Sequence, residues 1–127
     1  GVPFTEFYNL KTVSGVLTVN QNIKTRNNFI ADAVVNTTKK AEVGNDFFVN
    51  ADVTLGDEFT SKNITIAASK TLISNANITI TGNLANSGTF NANAALFFNE
   101  LSEMVALPTT PQADKVNIIN KLNVYFI

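Results

Sequence analysis

Apolar and polar residues alternate in short runs through most of this chain. One triplet, apolar–Thr–apolar, recurs as Leu17-Thr18-Val19, Val53-Thr54-Leu55, Ile64-Thr65-Ile66 and Ile78-Thr79-Ile80. Alternation of period two is the mark of a strand with one buried face. It places Ile64, Ile66, Ile78 and Ile80 in a core, in contact across adjacent strands, and turns Thr65 and Thr79 outward. Asn63 to Ile66 and Asn77 to Ile80 are identical and begin 14 residues apart. Between them Lys70-Thr71-Leu72-Ile73-Ser74 reads as another short strand, and after them Leu84 and Phe90 are inward candidates set between Asn, Ser and Gly corners. Phe29 to Val35 and Asp46 to Leu55 do not keep that spacing.

Short strands joined by such corners suit a solenoid, in which each coil buries its apolar residues by stacking on the next. An antiparallel sandwich of short hairpins alternates in the same way. The fold class is therefore mainly β, with short Asn/Thr-rich strands in a β-solenoid-like or sandwich arrangement and the solenoid preferred. The pattern changes after Asn93. Leu96, Phe97, Leu101, Met104 and Val105 fall at helical spacing, which predicts a helix over Ala94 to Leu107 ended by Pro108. Thr110 and Pro111 suit the start of a second helix to about Asn123, with Val116, Ile119 and Leu122 as its apolar stripe.

The chain thus divides into an N-terminal arm (1–11), a β domain (12–93) and a C-terminal segment of one or two short helices with an apolar tail (94–127). Phe4, Phe7 and Tyr8 at one end and Tyr125 and Phe126 at the other are too much aromatic surface to leave in water. At least one terminus is expected to contact a neighbouring subunit. Phe97, Phe98, Val116, Ile119 and Leu122 exceed what one short core covers, which predicts a homo-oligomer, a trimer before a dimer.

Composition narrows the chemistry. The 127 residues include no Cys and no His, with 9 basic against 10 acidic side chains. That excludes disulfides, thiolate nucleophiles, imidazole ligands and Ser-His-Asp triads. The near-neutral charge gives no footprint for nucleic acid or an anionic membrane. Asn and Thr number 19 and 15, about 27% of the chain. Asn tolerates tight corners and Thr favours strands. From Asn63 to Asn99 the single charged residue is Lys70, so this stretch is expected to be packed, stacked or turned to other subunits.

The candidate constellations give no catalytic, cofactor or metal site. Glu42, Asp46, Asp52, Asp57 and Glu58 lack the EF-hand pattern and read as solvated loop charges before an irregular calcium site. Ser61-Lys62 and Ser69-Lys70 do not match the spacing of Ser/Lys acyl enzymes and read as turns. Lys24, Arg26, Lys39 and Lys40 form a sparse basic group on a solvated face. Asn36, Asn63 and Asn77 begin N-x-T sequons.

Asn63 to Asn93, NITIAASKTLISNANITITGNLANSGTFNAN, resembles the coil repeats of β-helical phage fibres and surface adhesins. Leu107 to Asn123, LPTTPQADKVNIINKLN, resembles the C-terminal helices of phage fibre and head-fibre proteins. The resemblance covers less than half the chain. It implies a trimeric, non-enzymatic virion component without cofactors, bound to itself and other virion subunits, and it carries over no catalytic or binding residue. The alternatives are a secreted pilin-like subunit of a cell-surface filament, which lends a terminal strand to a neighbour's sheet, or a small carbohydrate-binding β domain. A host-surface glycan is a candidate ligand for a fibre.

Overall fold

In the computed structural model, described for residues 4–98 and 124–126, the chain winds as a parallel β-solenoid of about five coils. The first coil holds β1 (Thr5–Phe7), β2 (Leu10–Thr12) and β3 (Val16–Val19), and the second β4 (Ile23–Thr25), β5 (Phe29–Ala31) and β6 (Val34–Thr37). The third holds β7 (Ala41–Val49) and β8 (Val53–Leu55), and the fourth β9 (Phe59–Ile66) and β10 (Thr71–Ser74). The fifth holds β11 (Ile78–Ile80), β12 (Leu84–Asn86) and β13 (Thr89–Ala92). Then β14 (Leu96–Phe98) and β15 (Val124–Phe126) extend the first face. Every strand pair among the described residues is parallel, so the sandwich alternative is set aside.

The coil repeats at 18 residues, not 14: Thr5 aligns with Ile23, Ile23 with Ala41 and Ala41 with Phe59. The two identical tetrads belong to different columns. Ile64 stacks between Phe47 and Leu84, whereas Ile78 stacks between Phe59 and Leu96. Their spacing is thus the step from one face to another, and Phe29 to Val35 and Asp46 to Leu55 keep the true period (Phe29 on Phe47, Val35 on Val53). The period varies locally, as where a bulge between Val43 and Asp46 shortens the step to the next coil.

Three columns of strands make three faces. The first runs β1, β4, start of β7, start of β9, β11, β14, β15; the second β2, β5, end of β7, end of β9, β12; the third β3, β6, β8, β10, β13. β7 and β9 pass round a corner without a break, so the first two faces join in one sheet. The inward ranks form one core. Phe47 is fully buried between Phe29, with ring centroids 5.1 Å apart, and Phe59, at 4.9 Å, in tilted pairs. Ile64, Ile66, Ile78 and Ile80 are all buried, and Thr65 and Thr79 are half-buried on the outer side.

Small polar residues close the strands. Ser61 Oγ donates to the Asn63 carbonyl at 2.7 Å and Ser74 Oγ to the Ala76 carbonyl at 2.7 Å. The Gly88 amide donates to Asn86 Oδ1 at 3.0 Å. Each bond reaches two residues ahead and holds the chain in its turn. Ser61-Lys62 lies at the corner inside β9 rather than in a turn between strands, while Ser69 does turn, with φ at +67°.

Two expectations are corrected. The helix predicted over Ala94 to Leu107 opens on a strand, because Leu96 aligns with buried Ile78 and completes its rank. The rest of that helix, and the second one with Val116, Ile119 and Leu122, lie outside the described residues. The expected arm is the first coil: Thr5 to Thr12 forms β1 and β2, in register with β4 and β5.

Candidate assembly surfaces

Asparagine makes the corners. Asn9, Asn28, Asp46, Asn63 and Asn83 each precede an inward residue of the second face and stack in one column. Asn28 Oδ1 accepts from the Asp46 amide at 3.2 Å, Asn63 Nδ2 donates to Asp46 Oδ1 at 2.8 Å, and Asn63 Oδ1 accepts from the Asn83 amide at 2.9 Å. Other corners repeat the device: Asn50 Nδ2 donates to Asp32 Oδ1 at 2.9 Å, and Asn93 Nδ2 to Asn75 Oδ1 at 2.8 Å. The side chains thus satisfy backbone and amide groups that would otherwise need water, coil after coil.

That use absorbs most of the sequence-level candidates. The acidic group is dispersed into it: Asp46 holds Asn63, Asp52 accepts from the Thr71 amide, Asp57 from the Glu58 amide, and Glu58 pairs with Lys40 at 3.3 Å. No group of three or more acidic side chains comes close enough to hold a metal ion among the described residues. Of the sequon asparagines, Asn63 has its amide nitrogen engaged by Asp46, Asn36 is half-buried in β6 and Asn77 is exposed.

The aromatic residues expected to mediate assembly are not gathered in one place. Phe4 and Phe7 are half-buried and Tyr8 is 68% exposed, all in the first coil. Phe97 is half-buried in β14, on the outward register that holds Thr60 and Thr79. Phe98 lies in the same strand, and Tyr125 and Phe126 lie in β15, which pairs with β14. Both terminal segments pair with their own chain, β1 with β4, β2 with β5 and β15 with β14. The outward ranks of the third face carry Val16, Val34, Thr71 and Thr89 in one row and Thr18, Asn36, Thr54, Ile73 and Asn91 in the next.

The first coil is the open end of the core. A cavity of about 290 Å³ is lined there by Phe7, Leu10, Leu17, Thr18, Val19, Asn20, Gln21 and Ile23. The same coil carries the large apolar side chains most open to water among the described residues: Tyr8 at 68%, Val13 at 76% and Val16 at 63%. The sequence reading missed Val13 and Val16. Their pattern is that of any short strand, and only the topology shows that no other described strand stacks below that coil.

No known protein family, curated protein or solved structure matches the chain.

Proposed function

We propose that this chain is a non-enzymatic structural subunit of a phage or virus particle, a fibre or a capsid-decorating protein, which acts by self-association as a homo-oligomer, with a trimer favoured over a dimer. The observation that carries the reading is the architecture. A stack of parallel coils with amide-bonded corners is a stiff, repetitive body of the kind a fibre-like subunit uses in general terms. Other support comes from the charge-poor outer ranks of the fourth and fifth coils, which suit close lateral packing against copies or other virion subunits, and from the open first coil. The Thr- and Asn-bearing rows of the third face would serve for a host glycan if the subunit sits at a tip. Light scattering coupled to size exclusion at micromolar concentration, with electron microscopy of the same sample, tests the reading. Elongated trimers are expected, and a monomer at every concentration overturns it.

A further inference from the structure

We propose that β3 is a docking edge for a second copy of this chain, paired antiparallel about a two-fold axis through Leu17. β3 ends the five-stranded sheet ordered β13-β10-β8-β6-β3 and, among the described residues, pairs with β6 alone. Edge strands of folded proteins are normally guarded by charge, Pro or a bulge. Val16-Leu17-Thr18-Val19 has none of these, whereas β1 carries Glu6 and β2 carries Lys11. Val13 just before it and Val16 at its start are exposed, and Leu17 lines the cavity beside it.

The backbone parity fits such a pair. The Thr38 amide donates to the Val19 carbonyl at 2.9 Å, so Val19 and Leu17 turn their polar groups toward β6. Val16 and Thr18 therefore point theirs at the free edge. Centring the two-fold on Leu17 sets Val16 of one copy against Thr18 of the other as a hydrogen-bonded pair, with both side chains on the outer face. It sets Leu17 against Leu17 on the inner face, across the mouth of the cavity. The same operation lays β1 over β2 of the second copy, bringing Glu6 toward Lys11. A two-fold through β1 or β2 would instead oppose Glu6 to Glu6 or Lys11 to Lys11, which costs rather than gains.

The occupant follows from the complementarity of this end with itself: the two-fold opposes no like charges and sets Glu6 of one copy toward Lys11 of the other. The opposite end of the described stack differs, since there β14 pairs with β15. A second copy brings a matching uncharged edge and its own open mouth. The contact goes beyond the fibre reading and does not need it, since a trimer would pack along the sides of the solenoid and leave this end free.

Sedimentation equilibrium of the full chain, with two variants and one cross-link, tests the pairing. Val16→Lys places a charge on an exposed position, and Thr18→Pro removes an amide that points to the free edge. Each is expected to weaken the two-fold association by about tenfold or more, with the circular dichroism spectrum and melting temperature of Val16→Lys unchanged. Because the protein has no Cys, Leu17→Cys is expected to form a covalent dimer under mild oxidation, and Thr60→Cys is not. An oligomer that ignores Val16→Lys and fails to cross-link at position 17 overturns the β3 pairing and leaves the fibre reading standing. A wild-type monomer at all concentrations overturns both.

Discussion

The first coil and the third hold the same positions in the same register, yet one is half-open and the other closed. Leu10 and Leu17 of the first coil are half-buried; Phe47 and Val53, two steps along the same inward ranks, are essentially inaccessible to water. Thr5 is exposed where Ala41 is buried. Burial in this protein is therefore not a property of the strand. It belongs to the pair of coils above and below, and a terminal coil has one of the two. The same difference explains where association is to be sought: the middle coils have their inward ranks covered on both sides, and the first does not.

The largest effect that sharpens this contrast is a cavity. Phe47→Ala is expected to cost about 3–5 kcal/mol, because the ring is fixed between Phe29 and Phe59 and the surroundings cannot collapse. Leu10→Ala, on the same rank in the first coil, should cost less than half as much. Urea denaturation of both variants measures the gap, and equal losses would mean that the end coil is as well packed as the middle. Next comes a backbone clash. A Cβ at Gly56 would run into the Thr37 carbonyl oxygen of the adjacent coil. Gly56→Ala is expected to cost about 1–3 kcal/mol by forcing the coils apart, read as a lower melting temperature; an unchanged one would mean the stack is soft at that corner.

A gain is expected nearer the open end. Thr25 is fully buried on the inward register between Phe7 and Val43, and its hydroxyl has no hydrogen-bond partner among the described residues. Thr25→Val removes that unmet group at nearly constant shape, and should stabilise by about 0.5–1.5 kcal/mol. A loss of stability would show that the hydroxyl supports the coil instead. The smallest effect belongs to the surface. Lys40–Glu58 and Lys11–Asp32 are exposed ion pairs at 3.3 and 3.6 Å. Lys40→Ala should shift stability by less than about 0.5 kcal/mol, and half-molar salt should do little more. A large salt dependence would assign to charge the cohesion that the amide corners are held to provide.

Much of this was written into local chemistry. Alternation of period two marked Ile64, Ile66, Ile78 and Ile80 as inward before any topology was known, because a strand with one dry face admits no other pattern. The wealth of Asn likewise announced corners, since a short amide can bond to backbone that a turn leaves unpaired. What the chain could not declare by itself was the period. The identical tetrads suggested 14 residues, while the coil of 18 rests on ranks as unlike as Thr5, Ile23, Ala41 and Phe59. Stacking asks only that an inward residue fill its own layer, so sequence identity between coils is not required and the repeat is hidden. Leu96 and Phe97 had helical spacing and became strand, because the edge of β11 offered hydrogen bonds and Ile78 a surface that an isolated helix lacks. Local pattern determined which side of each strand faces inward; only the tertiary stack decided which strands lie on one another, and with that, which coil is left open.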